Sequence, residues 1–129
     1  MKGLIAMTQQ EQVQYLANIY YLAGADGSFE VEEDYLLQDI AKGIGAGYLE
    51  TRKALDLAQQ KDFEIKLPVR FSEKIRNLED MMFVAMSDKK LHPMEKKIIV
   101  TFAKQLDINQ EQLDLVREEA KSRLKIMGK

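Results

Sequence analysis

The sequence predicts an all-α protein, a single bundle of about six to seven helices built from two pseudo-symmetric helix-turn-helix halves. Apolar residues recur at steps of three and four along nearly the whole chain, and only two of its 129 residues are proline. A stretch of about 30 residues also recurs, in similar form, 62 positions later. Because 46% of the residues are hydrophobic, the chain can bury the core of one domain, residues 1–129.

Helix starts can be predicted in order from the residues that favour them. The signals are the capping box of Thr8 and Glu11, Glu30–Val31, Tyr48, the N-cap Ser72, Pro93 at a first helical position, and the capping box of Asn109 and Gln112. The third helix runs to about Gln60, and the glycines at 43, 45 and 47 end the second. The apolar faces predict a largely buried set: Leu16, Tyr20, Leu37, Ile40, Met82, Ile99, Phe102 and Leu113.

One stretch, 61–71, breaks the helical pattern. Its apolar residues alternate with polar residues or with Pro68, and they are Phe63, Ile65, Leu67, Val69 and Phe71. Alternation indicates an extended backbone. We therefore predict an extended connector between halves at about 12–60 and 72–127. Its apolar side chains, Phe71 included, should lie against the bundle, since they would otherwise form an exposed apolar patch.

The two halves share acidic positions as well as apolar ones. After a shift of 62 residues, Asp26 aligns with Asp88 and Glu33 aligns with Glu95. Matching apolar positions alone would indicate only that both halves contain helix hairpins, whereas the matched acids indicate a repeated unit of helix, short acidic turn and helix. Two such units packed about a pseudo-two-fold axis would make a single bundle.

The first turn reads Ala-x-Ala-Asp-Gly-x-Phe-x-x-x-Glu over 23–33, and the second reads Asp-Lys-Lys-Leu-His-Pro-x-Glu over 88–95. Both turns resemble the TerB-like family, and the resemblance covers roughly residues 12 to 113. That family includes tellurite-resistance proteins and the N-terminal domain of a membrane-anchored DnaJ-type co-chaperone. The resemblance implies an all-helical fold, a stress-response role such as tellurite resistance, and no enzymatic activity. It also implies an unidentified protein partner, with a membrane-associated complex as one candidate.

The resemblance further implies that the acidic turns bind a divalent cation, through Asp26, Glu33, Asp88 and Glu95. Three more acids, Glu30, Glu32 and Asp34, surround the first turn, and no basic residue lies among them. Clustered carboxylates suit Ca²⁺ or Mg²⁺. The second turn has lysines at 89, 90 and 96, and Lys89 stands where the first turn has Gly27. We therefore expect a cation to prefer the first turn. The spacing is not that of an EF-hand, because Val31 and Leu37 occupy its glycine and glutamate positions.

The same acids have a purely structural interpretation. Glu33 and Glu95 fall near the third position of a helix, where a capping-box Glu accepts from the N-cap amide. Asp26 and Asp88 can cap their own turns. A structural or interaction bundle whose acids are only helix caps is therefore the alternative to a cation-binding module.

Several classes of function are excluded or disfavoured. The absence of cysteine excludes disulfides, thiol catalysis and iron–sulfur clusters. The single histidine, His92, is more plausible as an N-cap than as a zinc ligand, and it disfavours a metal-assisted hydrolase. The net charge of −2 gives no basic field for nucleic acid. No apolar run reaches the roughly 20 residues of a membrane span, so we expect no membrane insertion and a cytoplasmic location.

Overall fold

The computed structural model describes residues 7–24, 31–87 and 92–127, with the backbone alone at 31–34. It contains six α-helices and no strand within those ranges. The helices are α1 (Gln9–Ala23), α2 (Val31–Gly43), α3 (Tyr48–Ala58), α4 (Phe71–Ala85), α5 (Pro93–Gln105) and α6 (Gln110–Ile126). The predicted all-α class is confirmed.

Local capping sets the starts of α1 and α6, as predicted. The Glu11 N–H donates to Thr8 Oγ1 at 3.2 Å, and the Thr8 N–H donates to Glu11 Oε1 at 2.8 Å. At α6, the Gln112 N–H donates to Asn109 Oδ1 and the Asn109 N–H donates to Gln112 Oε1, both at 2.8 Å. These bonds satisfy amides that a helix start otherwise leaves without partners.

The predicted start of α4 is wrong by two residues. The N-cap is Arg70 rather than Ser72, and Phe71 is the first helical residue. The guanidinium of Arg70 donates to Glu73 Oε2 at 2.8 Å and to Glu11 Oε1 at 2.9 Å. These ion pairs fix Arg70 against α1. Phe71 is 65% and Val69 77% exposed, so the expectation that these two side chains lie against the bundle is also wrong.

Helices α1 and α4 form the centre of the bundle. They pack against each other, α3 packs along α1, and α6 packs along α4. Each of the eight predicted core side chains is buried, and none is more than 8% exposed. Together they belong to one continuous apolar core. The helical spacing of apolar residues therefore identified the buried faces correctly.

The 62-residue shift relates the two sets of helices in the backbone. Helices α1 and α4, α2 and α5, and α3 and α6 begin 62 positions apart. The two described residues with positive φ are Gly45, at 83°, and Asp107, at 61°, and these also lie 62 positions apart. Each follows the second helix of its half, and the next amide returns to that helix: Ala46 to Ala41 O at 2.8 Å, Ile108 to Ala103 O at 3.3 Å. Superposition of Cα atoms 12–47 on 74–109 remains our prediction.

The connector between α3 and α4 lies against the bundle through three side chains. Phe63, Ile65 and Leu67 are partly buried and pack on the core. Their neighbours Glu64 and Lys66 are exposed. This alternation is the one expected of an extended backbone on a surface.

Candidate functional site

Most of the predicted cation ligands lie where the structure describes no side chain. Three lie outside the described residues: Asp26, Glu30 and Asp88. Three are described by backbone alone, in the first turn of α2: Glu32, Glu33 and Asp34. Among the side chains that are described, no group of three or more His, Asp or Glu is arranged to hold a metal ion. Cation binding by the acidic turns remains a prediction.

Glu95 is the one predicted ligand with a described side chain. It is 1% exposed and is the third residue of α5. Its Oε1 accepts a hydrogen bond from the His92 N–H at 3.2 Å. His92 is the N-cap, with an extended backbone, and Pro93 follows it as the first helical residue. The predicted capping roles of Glu95 and His92 are therefore confirmed.

A groove of about 1150 Å³ opens beside the connector. Its apolar lining comes from α1, α3, the connector and α5, through Tyr21, Leu55, Phe63, Ile65, Ile98 and Phe102. The rings of Tyr21 and Phe63 lie 5.1 Å apart between centroids, inclined by 41°. This tilted contact suits two aromatic rings and fixes the connector to the end of α1.

The groove has the chemistry of a binding surface. Among its described lining residues, Glu64 is the one carboxylate and Lys97 the one amine, and no histidine is present. Met94, 53% exposed, adds a flexible apolar side chain. This groove cannot be deduced from the sequence, because its walls come from four segments that no single periodic pattern connects.

A buried polar cluster, also absent from the predictions made from the sequence, lies between α1 and α4. The Tyr15 hydroxyl donates to Asp80 Oδ2 at 2.5 Å, and Asn18 Nδ2 donates to Asn77 Oδ1 at 2.8 Å. Asn77 Nδ2 also donates to the Tyr15 carbonyl at 3.3 Å. None of the four residues is more than 4% exposed. Burial, and then the adjacent Asp80 carboxylate, raise the pKa of the Tyr15 hydroxyl well above its ordinary value.

Arg123 of α6 completes the cluster from outside. Its Nη1 donates to Asp80 Oδ1 at 3.1 Å, so each oxygen of that carboxylate accepts a hydrogen bond. The guanidinium carbon lies 4.0 Å from the centroid of the Phe83 ring, which is cation–π geometry. No buried side-chain nitrogen or oxygen in the described part of the chain lacks a partner. A fully satisfied cluster of this kind orients α1, α4 and α6 relative to one another.

Comparison of the chain with protein-family models, with curated proteins and with solved structures gives no match. The resemblance to the TerB-like family therefore depends on the two turn motifs and the repeat. None of the described helices is both long enough and apolar enough to cross a membrane.

Proposed function

We propose that this protein is a non-enzymatic, cytoplasmic, TerB-like module of the stress-response type, which binds a protein partner in the groove beside the connector. The acidic turns would in addition bind Ca²⁺ or Mg²⁺. The observation that carries partner binding is the groove itself, which is open, apolar and rich in aromatic side chains. Aromatic residues and methionine are enriched where proteins bind other proteins.

The size of the groove favours a protein segment over a small molecule. Its volume, about 1150 Å³, exceeds the roughly 300–1,000 Å³ of ordinary ligand pockets. Tyr21 and Met94 are 41% and 53% exposed, so their apolar surface is available to a partner. Polar side chains in the lining, including Lys97 and Gln105, provide hydrogen-bonding groups beside the apolar ones. We propose that the occupant is a partner segment with apolar anchor side chains.

A photo-crosslinking residue at Thr101 tests this proposal. Thr101 is exposed and lines the groove, whereas Leu115 on α6 is 64% exposed and lies outside it. Proteins captured at Thr101 and not at Leu115 would be purified and titrated against the wild type, Thr101→Arg and Leu115→Arg. We expect Thr101→Arg to weaken binding at least tenfold, because a loss of about 1.4 kcal/mol in binding free energy raises the dissociation constant tenfold. A partner that binds both variants like the wild type would refute the groove as the site.

The alternative, a structural or interaction bundle whose acids only cap helices, is favoured by one observation. Glu95 is buried and already accepts the His92 amide, which is the bond that the capping interpretation requires. Titration with Ca²⁺ and Mg²⁺ separates the two proposals. Heat from binding that Asp26→Asn removes would favour the cation site, and no heat with either ion would leave the acids as caps.

A further inference from the structure

The two edges of the extended connector differ in their hydrogen bonding. Asn18 binds Lys66 on both backbone groups: its Nδ2 donates to Lys66 O at 2.9 Å, and its Oδ1 accepts from the Lys66 N–H at 3.3 Å. Gln14 Nε2 reaches Glu64 O at 3.5 Å. The even-numbered residues 64 and 66 therefore direct backbone groups toward α1, which occupies the position of a neighbouring strand.

The odd-numbered residues direct theirs to the opposite edge, because backbone groups alternate along an extended chain. Within the described part of the chain, no bond is made by the N–H or carbonyl of Ile65 or Leu67, or by the carbonyl of Phe63. The Phe63 N–H is already bonded to Gln60 O, at 3.1 Å. Phe63 and Ile65 also line the groove. Such an edge is a template for a second extended chain.

We infer that the occupant of this edge is a second copy of the same chain, paired antiparallel about Ile65. In that register the two Ile65 residues exchange both backbone hydrogen bonds, and each Leu67 N–H donates to Phe63 O of the partner subunit. The inference is independent of the function proposed above.

Charge complementarity selects the partner and the register. Pairing about Ile65 places Glu64 opposite Lys66 of the partner subunit, and the two-fold axis repeats this pair. Both side chains are on the exposed face. They form a non-hydrogen-bonded antiparallel pair, the class in which opposite side chains lie closer together. On the other face, Phe63 meets Leu67 of the partner subunit. A shift of two residues would set Glu64 against Glu64 of the partner subunit, or Lys66 against its own copy, which is unfavourable.

The contact is small, so the dimer should be weak. The interface contains only four backbone hydrogen bonds and two ion pairs, which is typical of transient complexes. We therefore expect a dissociation constant on the order of 0.1–1 mM. Sedimentation velocity and NMR diffusion over about 10 μM to 1 mM cover this range. As the concentration rises, the amides of Ile65 and Leu67 should shift and exchange more slowly with solvent. The amide of Lys66, already bonded to Asn18, should not.

A charge swap provides the decisive test. Glu64→Lys and Lys66→Glu should each weaken self-association roughly tenfold, because each replaces two attractive cross-strand pairs with two repulsive ones. The double variant E64K/K66E should restore wild-type association. Glu111→Lys changes the net charge equally at an exposed position on α6 and should leave association unchanged. Ile65→Pro should abolish the dimer by removing two of the four donors, with circular dichroism reporting whether it is folded.

Three results would overturn the inference: a monomer throughout this concentration range, self-association insensitive to either single reversal, or a double variant as weak as the single ones. The first would mean that the charges of Glu64 and Lys66 protect the edge from pairing, as charged side chains do on many exposed edges. The others would place the contact on a different surface.

Discussion

Replacement of Tyr15 by Phe tests the energetic role of the buried polar cluster. The ring of Tyr15 is 1% exposed, and its hydroxyl donates to Asp80 Oδ2 at 2.5 Å. Phe retains the ring and removes the donor, leaving that oxygen of Asp80 without its partner. A hydrogen bond to a charged group contributes roughly 1.5–3 kcal/mol. We expect Tyr15→Phe to lower the free energy of unfolding by about that amount at pH 7. The loss should not exceed it, because Arg123 still donates to the other oxygen of Asp80.

The pH dependence gives a second, independent readout. Folding raises the pKa of Tyr15 above the value of about 10 that it has in the unfolded chain. Below pH 10 the hydroxyl is protonated in both states, so its stabilising contribution is fully present. As the pH rises above about 10, the unfolded chain loses this proton while the folded protein keeps it. The free energy of unfolding must then fall, by up to about 1.4 kcal/mol per pH unit.

The measurement compares urea denaturation of the wild type, Tyr15→Phe and Tyr48→Phe at pH 7, 9 and 11. Tyr48 is 80% exposed, so its replacement controls for the loss of one tyrosine without loss of a buried bond. The deficit of Tyr15→Phe should be full at pH 7 and 9 and should shrink at pH 11. Contributions from lysine titration are shared by all three proteins and cancel in the differences. A variant as stable as the wild type at pH 7, or a deficit constant up to pH 11, would refute the reasoning.

Three further predictions concern the core, the exposed start of α4 and the acidic turns. Leu37→Ala should cost about 2–5 kcal/mol by urea denaturation, since Leu37 is wholly buried, and a cost below about 1 kcal/mol would contradict its place in the core. Phe71→Ala should change stability by no more than about 0.5 kcal/mol, because the ring is 65% exposed; a larger loss would indicate packing that the structure does not contain. In calorimetric titrations with Ca²⁺ and Mg²⁺, Asp26→Asn should weaken binding more than Asp88→Asn, since lysines crowd the second turn. The reverse order would assign the ion to the second turn.

Local signals made most helix starts predictable from the sequence. The boxes at Thr8 and Asn109 need only residues within one turn, so the sequence contains all the information that their geometry uses. The start of α4 differs because Arg70 is held partly by Glu11, 59 positions earlier. A contact of that range cannot be deduced from neighbouring residues. Local residues therefore favour Ser72 as the N-cap, whereas the tertiary ion pair with Glu11 places the N-cap at Arg70.

The groove and the polar cluster required knowledge of which helices meet. Tyr15 and Asn18 lie on the face of α1 that packs against α4, where periodicity alone predicts burial and gives no partner. One clue was present in the repeat, because the 62-residue shift aligns Tyr15 with Asn77 and Asn18 with Asp80. If the two halves are related by the pseudo-two-fold axis that we predict, equivalent residues meet near that axis. In both aligned pairs, each position holds a residue with a polar group although it lies on an apolar helix face. This pattern was the available signal for a buried polar cluster.

The residues that the 62-residue shift aligns in the buried cluster differ between the halves, and the hydrogen bonds between α1 and α4 give a physical reason for the difference. Tyr15 bonds Asp80, and Asn18 bonds Asn77, so each bond joins one aligned pair to the other. If both halves carried Asp at the second position, two carboxylates would be buried between α1 and α4, and Arg123 of α6 would pair with only one of them. With Asn18 in the first half, the amide instead supplies donors to Asn77 and to the Lys66 carbonyl. The asymmetry at these positions thus lets donors of one half meet acceptors of the other. It also connects the central helices to the connector, whose opposite edge remains open for a partner.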